Sequence, residues 1–321
     1  MPYKLTGIIQ DLYHASPISN CYLFMGDYPQ SVSACEKSVL ILGCGYVGTR
    51  LARACIDRGI HVIGTARSRN RAKELTILGI EPLIVTQPED IPESILTGVG
   101  IVLDSIPLKR TDGGLKAGQP SWVPMLARKI PDVHWVGYLS STGVYGDAKG
   151  AWVDESWPCI PTSQRGRERL LAERAWLESG LPVEVFRPAG IYGPGRNIIP
   201  SLRAGGYKAV RWQPSRFSSR IHVNDIVAAL LAAMDKPRPG RIVNLADDRP
   251  LPHDEYVCDL ARLVGAPNPV ILTPEEGEQE LSAAALDFFR DNKRVSNRLL
   301  HRELLSTLEY PDFRRAVPEL R

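Results

Sequence analysis

The chain has 321 residues, 44% of them hydrophobic, and its 39 lysines and arginines against 36 aspartates and glutamates give a net charge of +3. Such a composition is typical of a globular protein with one large domain or two smaller ones. The weak net charge argues against binding to nucleic acid or to a membrane surface. No apolar run approaches the roughly 18 residues that a membrane-spanning helix needs. The six cysteines form no C-x-x-C pair and no metal-ligand cluster, so we expect reduced thiols, no metal site and a cytoplasmic location.

The first 37 residues differ from the rest of the chain because they show neither helical nor strand periodicity. They lack the basic start, apolar stretch and small-residue cleavage site of a secretory signal, and they are not rich in arginine as a transit peptide would be. We interpret residues 1–37 as a loosely ordered extension, or as the product of a start codon placed too early. The domain is expected to cover residues 38–321.

From Ser38 onward, short β-branched runs alternate with longer amphipathic stretches. The pattern predicts strands at Val39–Leu42, His61–Thr65, Pro82–Val85, Gly100–Leu103, Trp135–Ser140 and Pro182–Phe186. It predicts helices after Gly48, at Arg71–Leu78 and at Gly166–Ser179, the last ending at Gly180. This alternation favours an α/β fold in which helices cover both faces of a doubly wound parallel sheet.

Beyond about residue 189 the alternation becomes less regular. The sequence predicts a helix at Asn224–Met234, a strand at Ile242–Leu245, a helix at Asp254–Val264 and a basic helix at Asn292–Arg302. No linker separates a second independent domain. We expect this part of the chain to form a smaller lobe over the carboxyl ends of the strands, where such sheets bind their ligands.

A glycine-rich loop provides the sharpest motif of the sequence. Gly43, Gly45 and Gly48 form a G-x-G-x-x-G pattern, with Tyr46 and Val47 inside it, directly between a buried strand and an amphipathic helix. In this context the first glycine permits a tight turn, the second lets a pyrophosphate approach the backbone, and the third lets helix and strand pack closely. The amino end of the helix favours the phosphates. The sequence therefore predicts a dinucleotide site, and the alternative is a glycine turn without a ligand.

The end of the second strand indicates which dinucleotide binds. Sites that prefer NAD place an acid about twenty residues after the loop, where it bonds the ribose 2′-hydroxyl. Here the strand is followed by Arg67, Ser68 and Arg69, with Arg71 next, and no acid is within reach. Guanidinium groups bind phosphate bidentately, so Arg67 is expected to pair with a 2′-phosphate. NADP(H) is thus favoured over NAD(H), which remains open, and the alternative interpretation is a basic surface loop.

The segment Tyr138–Asp147, which reads YLSSTGVYGD, resembles the extended short-chain dehydrogenase/reductases of the NAD-dependent epimerase/dehydratase family, whose fifth strand ends S-S-x-x-V-Y-G. Three further matches follow in order: the R-P-x-x-x-Y-G-P-G turn at Arg187–Gly195, the I-H-V-x-D helix entry at Ile221–Asp225, and the strand Val243–Asp248. The resemblance covers the chain from about Ser38 onward. It implies a Rossmann sheet of about seven strands with a small C-terminal substrate lobe, a bound nicotinamide dinucleotide and, as a common default, a homodimer.

The resemblance also implies a mechanism, in which a serine or threonine acts with the tyrosine and lysine of a Y-x-x-x-K motif. Ser141 matches the position of the hydroxyl, which polarises a substrate carbonyl; the alternative is a serine that only caps the strand end. Ser105 and Ile106, after the fourth strand, are expected to run beside the cofactor ribose. The glycine-rich segment that follows, Lys109–Pro120, is either a lid over the nicotinamide or an ordinary surface loop.

The sequence departs from the family at the tyrosine and the lysine. Alignment on Glu173 places Arg165 where the tyrosine belongs and Arg169 where the lysine belongs. Arginine stays protonated, so Arg165 cannot perform the tyrosine's proton transfer, although Arg169 could hold a ribose diol or a substrate carboxylate. The chain is thus identified as an atypical member of the family.

Other residues are candidates for the missing chemistry. Tyr145 is a candidate substitute acid, but a packing role fits its motif better. Arg165 and Arg220 are candidate ligands for an acidic group of the substrate, and Arg216 flanks the same segment. Two hypotheses follow: an NADP(H)-dependent oxidoreductase or epimerase/dehydratase-like enzyme acting on a small hydroxyl- or carbonyl-bearing, sugar-like molecule, or a non-catalytic NADP(H)-binding sensor or regulator.

Overall fold

A computed structural model describes residues 38–282, 286 and 291–320 of the chain. The expected extension 1–37 therefore lies outside the described residues. No helix in the described ranges is long and apolar enough to cross a membrane.

The core of the fold is a seven-stranded sheet in which every neighbouring pair is parallel. Numbered with all strands in chain order, its members are β1 (Ser38–Leu42), β2 (Val62–Ala66), β3 (Glu81–Ile84), β4 (Val99–Asp104), β7 (Trp135–Leu139), β9 (Val183–Pro188) and β14 (Ile242–Leu245). Their spatial order is β14-β9-β7-β4-β1-β2-β3. The predicted doubly wound parallel sheet is confirmed, and its order reverses between β1 and β4, where such sheets open a ligand crevice.

Helices cover both faces of this sheet, and separate hydrophobic clusters lie on its two sides. The helices are α1 (Tyr46–Ile56), α2 (Arg69–Ile77), α3 (Glu93–Leu96), α4 (Gln119–Lys129), α5 (Gln164–Leu177), α6 (Ile199–Arg203), α7 (Val223–Asp235), α8 (His253–Val264), α9 (Pro274–Glu280), α10 (Arg298–Glu303) and α11 (Phe313–Leu320). The strands β1, β7 and β9 are buried along their whole length. This burial explains why they read as continuous apolar runs rather than as alternating patterns.

Short strand pairs complete the structure. They are β5 (Lys109–Thr111) with β6 (Gly114–Lys116), β8 (Trp152–Val153) with β17 (Arg294–Val295), β10 (Gly190–Tyr192) with β13 (Arg220–His222), β11 (Lys208–Val210) with β16 (Val270–Leu272), and β12 (Phe217–Ser218) with β15 (Leu251–Pro252). Around them, residues after β9 build a hydrophobic core of their own from α6, α8 and α11.

One sequence expectation fails at the level of local structure. The stretch Asn292–Arg302 is not one helix, because β17 occupies its first part and α10 begins only at Arg298. The segment Lys109–Pro120, expected to be a lid or an ordinary surface loop, contains the antiparallel hairpin of β5 and β6, and its role as a lid stays a prediction. The side chain of Gln164 ties this hairpin to α5, accepting from Leu115 N at 3.3 Å and donating to Gly113 O at 3.1 Å. Short strands with few apolar residues leave too weak a periodicity to be predicted.

Candidate functional site

The glycine loop turns where the sequence predicted it, between β1 and α1. Gly43 has φ +74°, and a Cβ on it would lie 2.9 Å from Ile106 Cα, so only glycine fits this turn. Its N–H donates to Thr65 Oγ1 at 2.8 Å, while its carbonyl accepts from Ser105 Oγ at 2.7 Å. The loop is thus fixed against the ends of β2 and β4, where Ser105 and Ile106 contact Gly43. Their expected place beside the cofactor ribose stays a prediction.

The second and third glycines have different surroundings. A Cβ on Gly45 would meet only Gly43 O, at 3.7 Å, so the backbone here is open to approach. A Cβ on Gly48 would collide with Ile41 Cγ2 at 2.8 Å, which shows that Gly48 lets α1 pack on β1. No side chain caps the amino end of α1. Its first N–H groups therefore remain able to receive an anion such as a pyrophosphate.

Two residues inside the motif point away from the loop opening. Val47 is buried in the core, so that only its backbone belongs to the amino end of α1. The Tyr46 hydroxyl donates to Pro194 O at 3.0 Å, and Arg50 stacks 3.9 Å from the centre of the Tyr46 ring. Tyr46 therefore connects the glycine loop to the turn after β10.

A basic segment lies beside the glycine loop at the end of β2. Arg67, Ser68 and Arg69 are exposed, and Ser68 caps α2 by accepting from Arg71 N at 3.2 Å. Arg71 donates to Cys44 O at 2.9 Å and to Thr49 Oγ1 at 2.7 Å, and thereby joins this segment to the loop. The first acid after β2 is Glu74, which pairs with Arg71. Cationic side chains thus lie at the position where a site that prefers NAD has a carboxylate, which bonds the ribose 2′-hydroxyl.

A cavity of about 450 Å³ lies beyond the carboxyl ends of β7 and β9. Its walls bring together Ser141, Arg165 and Arg169, which sequence reasoning selected, with Arg216 and Lys293. Arg169 connects this cavity to the dinucleotide crevice, since its Nη1 donates to Ile106 O at 3.3 Å and Ile106 packs on Gly43. The contact of Arg169 therefore joins the cavity, which Ser141 lines, to the side of the glycine loop.

Ser141 retains a hydroxyl proton for chemistry. It precedes a single 3₁₀ turn, Thr142–Tyr145, and its Oγ accepts from Gly143 N at 3.1 Å. A hydroxyl that accepts one hydrogen bond still has one O–H to donate. Ser141 therefore caps the turn, as the alternative interpretation held, and also faces the cavity as a donor.

The two arginines at the start of α5 differ in how they are held. Arg169 Nη1 also donates to Tyr138 OH at 3.0 Å and to Leu139 O at 3.2 Å, so its guanidinium is fixed below the strand ends. Arg165, one turn earlier, is exposed and forms part of the cavity wall. Arg169 is thereby held beside Ile106 and the glycine loop, and Arg165 lies in the exposed wall of the cavity.

Two sequence-predicted residues do not reach the cavity. Tyr145 is 1% exposed, its hydroxyl donates to Asn244 Oδ1 at 2.7 Å and accepts from Arg187 Nη1, and burial raises its pKa to about 12. Arg220 is buried against the Tyr256 ring, with its Nη2 3.0 Å from Ser218 Oγ. Both side chains turn into the protein interior and neither lines the cavity, so this geometry gives no support to the catalytic assignment of Tyr145 or the substrate assignment of Arg220, which stay predictions.

A buried ion pair supports the floor of the cavity. Arg187 and Glu173 are 3% and 1% exposed, and the guanidinium contacts both carboxylate oxygens, at 3.0 and 2.7 Å. The same carboxylate accepts from Ser140 Oγ at 2.5 Å. This network fixes the end of β7, from which Ser141 projects.

Lys293 is the cavity residue that sequence reasoning missed. It is 9% exposed, and its Nζ donates to Gly146 O at 2.9 Å and to Asp291 Oδ2 at 3.2 Å. Burial lowers the pKa of its ammonium group. In the sequence it lies among other basic residues of an expected helix, and nothing in that pattern distinguishes it. Its contact with Gly146 spans 147 residues and depends on the tertiary fold.

The chain was compared with known proteins. No protein-family model matches it. It is 28% identical over 292 residues to Protein YeeZ of Escherichia coli K12, covering 86% of this chain and 97% of that protein. A structure of a conserved protein of unknown function from Silicibacter pomeroyi superposes with a TM-score of 0.80 at 37% identity, covering 88% of this chain and 98% of that one.

A third relative carries a family name. The chain is 27% identical over 279 residues to short-chain dehydrogenase/reductase family 42E member 1 of Macaca fascicularis, covering 72% of this chain and 68% of that protein. The sheet order, the glycine loop and the ordered motifs agree with this relationship. The chain belongs to the extended short-chain dehydrogenase/reductases of the NAD-dependent epimerase/dehydratase family.

Proposed function

We propose that this protein is an NADP(H)-dependent oxidoreductase, or an epimerase/dehydratase-like enzyme, acting on a small hydroxyl- or carbonyl-bearing substrate. The observation that carries the proposal is the continuity of the site: Gly43, Ile106 and Arg169 link the dinucleotide crevice to a cavity that contains the Ser141 hydroxyl. Family membership supports a nicotinamide cofactor in general. The preference for NADP(H) is our proposal from this chain's own residues.

The residues present fit such a cofactor. The open backbone at Gly45 and the uncapped start of α1 suit a pyrophosphate, and Arg67 and Arg69 suit a 2′-phosphate. A bound nicotinamide dinucleotide supplies or removes a hydride at the substrate carbon. Ser141 would donate a hydrogen bond to the substrate oxygen, and the proton that accompanies the hydride would be exchanged with a substitute acid, water or the substrate itself. Arg169 would hold the ribose or an acidic group beside it.

A non-catalytic NADP(H)-binding protein is the second candidate. It is favoured by one observation: among the described residues that line the cavity there is no tyrosine, and Arg165 and Arg169 occupy the start of α5 where the family motif predicts tyrosine and lysine. In that case, occupancy of the dinucleotide crevice would be the signal, and the cavity would not turn over a substrate. The two candidates differ in turnover and not in cofactor binding.

Calorimetric titration with NADPH, NADP⁺ and NADH tests the cofactor assignment. Arg67→Ala removes a guanidinium that is expected to contact the 2′-phosphate, and a charged hydrogen bond contributes roughly 1.5–3 kcal/mol. NADPH binding should therefore weaken by about ten- to a hundredfold, while NADH binding stays unchanged. Arg128→Ala, at an exposed arginine of α4 away from the crevice, is the matched control. Equal losses for NADPH and NADH, or no binding of either, would refute the NADP(H) assignment.

Turnover separates the two candidates. The wild-type protein with NADPH and a panel of carbonyl compounds should show oxidation of NADPH at 340 nm, and Ser141→Ala should abolish most of it while the dissociation constant for NADPH stays the same. Tight NADPH binding with no turnover for any compound would favour the non-catalytic candidate.

A further inference from the structure

The cavity wall carries an excess of positive charge. Five cationic side chains line it, and the described part of the wall contributes one carboxylate, that of Asp291: the cations are Arg165, Arg169, Arg196, Arg216 and Lys293. Asp291 is already engaged, since it accepts from Lys293 Nζ and from Thr162 Oγ1. Cations gathered in a partly enclosed site create a strong positive potential and favour an anion within it.

Lys293 is the most buried of these cations. An ammonium group has three N–H donors, and two of them go to Gly146 O and Asp291 Oδ2. The third is left for the cavity, because Lys293 forms part of its wall. Asp291 and Asp147 favour the charged form of Lys293, against the effect of burial. A third acceptor supplied by a ligand would complete the hydrogen bonding of this ammonium group.

Arg165 and Arg216 approach the cavity from other segments. Arg165 comes from the first turn of α5, and Arg216 precedes β12 with its guanidinium stacked 3.9 Å from the centre of the Trp212 ring. Stacking of this kind fixes the plane of a guanidinium group. Arg165 is exposed, as Arg196 is, whereas Lys293 is buried, so Arg165 lies nearer the opening than Lys293.

Asn292 holds the Arg216 and Lys293 segments together. Its Oδ1 accepts from Phe217 N at 2.9 Å, and its Nδ2 donates to Ser215 O at 3.0 Å. Its backbone N–H donates to Asp147 Oδ1 at 2.9 Å, which links the segment that follows Ser141 to the other two segments. Arg216 and Lys293 are thus placed by the hydrogen bonds of the buried Asn292 and not by a run of basic residues on a surface.

We propose that this cavity binds a compact oxyanion, a carboxylate or a phosphate carried by the substrate itself, through Lys293 and Arg165. That the anion belongs to a substrate rests on the function proposed above; the anion site itself rests on the cavity wall alone. The volume of about 450 Å³ is in the lower half of the range of roughly 300–1,000 Å³ for small-molecule sites, which favours a small ligand over a nucleoside diphosphate. The oxyanion would fix the substrate with its reacting carbon near Ser141.

Calorimetric titration of the full chain with inorganic phosphate, oxalate and UDP tests this inference. Each titration is run at low ionic strength, without NADP⁺ and with saturating NADP⁺, so that binding at the glycine loop is separated from binding in the cavity. Phosphate and oxalate should bind in both conditions. Lys293→Met and Arg165→Met should each weaken oxyanion binding by at least about tenfold, as expected for loss of one charged hydrogen bond.

The controls separate charge from structure. Lys293→Arg keeps the charge and should bind oxyanions within a few-fold of wild type, whereas Lys236→Met, at an exposed lysine after α7, makes the same change in net charge and should have no effect. If Lys293→Met does not fold, as judged by thermal melting, Arg165→Met tests the proposal in its place. Arg165 is exposed, so its substitution creates no cavity in the protein interior.

Three results would overturn the inference. The first is no binding of phosphate or oxalate, and the second is binding that NADP⁺ abolishes and that Lys293→Met leaves unchanged. The third is UDP binding at least tenfold tighter than phosphate and oxalate and lost in Arg165→Met, which would assign the cavity to a nucleoside diphosphate. Oxyanion binding without any dinucleotide binding would refute the proposed function and leave the anion site standing.

Discussion

Removal of the buried carboxylate below the cavity should destabilise the protein strongly. Glu173→Gln keeps the shape of the side chain but leaves the Arg187 guanidinium, 3% exposed, without a counter-charge. Loss of one partner of a buried ion pair costs about 3–5 kcal/mol of unfolding free energy, because the remaining charge stays desolvated. At about 2–4 °C per kcal/mol for a domain near this size, Tm should fall by roughly 6–20 °C.

Urea denaturation followed by circular dichroism measures this loss, and the midpoint should fall without a change in slope. Glu178→Gln, an exposed position at the end of the same helix, should change stability by no more than about 0.5 kcal/mol. The double variant Glu173→Leu with Arg187→Met removes both charges and should be less damaging than the sum of the single changes. A loss below about 1 kcal/mol for Glu173→Gln, or strict additivity in the double variant, would refute the reasoning.

Three further predictions concern the glycine turn, the buried tyrosine and a buried histidine. Gly43→Ala meets both φ +74° and the Ile106 backbone, so calorimetry should show loss of dinucleotide binding. Tyr145→Phe should cost about 1–3 kcal/mol in urea denaturation, because Asn244 loses its donor, and should leave NADPH affinity unchanged. His222, whose pKa burial lowers to about 4, stays neutral in the fold while the unfolded chain protonates near pH 6.5. Stability should therefore fall as the pH drops from about 6.5 to 4, and His222→Asn should reduce that fall while keeping the cap of α7.

Each of these predictions can fail. Unchanged NADPH affinity in Gly43→Ala would mean that the loop is not the pyrophosphate site. Loss of turnover in Tyr145→Phe at unchanged stability would restore a catalytic role for that hydroxyl. An identical pH dependence of unfolding in His222→Asn and wild type would show that this imidazole titrates equally in the folded and unfolded chains.

The central fold could be predicted from sequence because its determinants are local. Val39–Leu42 is a buried apolar run directly followed by three glycines at fixed spacing, and the structure has β1, the turn and α1 there. The predicted strand Ile242–Leu245 agrees with β14 exactly in its bounds. Such elements can be predicted from hydrophobic periodicity and from positions that only glycine can occupy.

The candidate site likewise contains residues that local sequence predicts and one that it does not. Gly43, Ser105 and Ser141 follow strands, and residues that follow neighbouring parallel strands necessarily meet at one edge of a sheet. The place of Lys293 in the cavity could not be predicted from the sequence. Lys293 directly precedes β17, which has only two residues, and the pairing of β17 with β8 joins segments about 140 positions apart. Short irregular pairings of this kind depend on the rest of the fold already being in place.

Local sequence patterns were enough to predict the parallel sheet, the glycine turn, the basic segment after β2 and the presence of Ser141 at a strand end. Which charged and phenolic side chains reach the cavity depends on the complete fold. Tyr145 and Arg220 turn inward to Asn244 and Ser218, and Lys293 turns toward the cavity. The reason is that a long polar side chain takes the direction in which its buried partners lie, and those partners are distant in the chain.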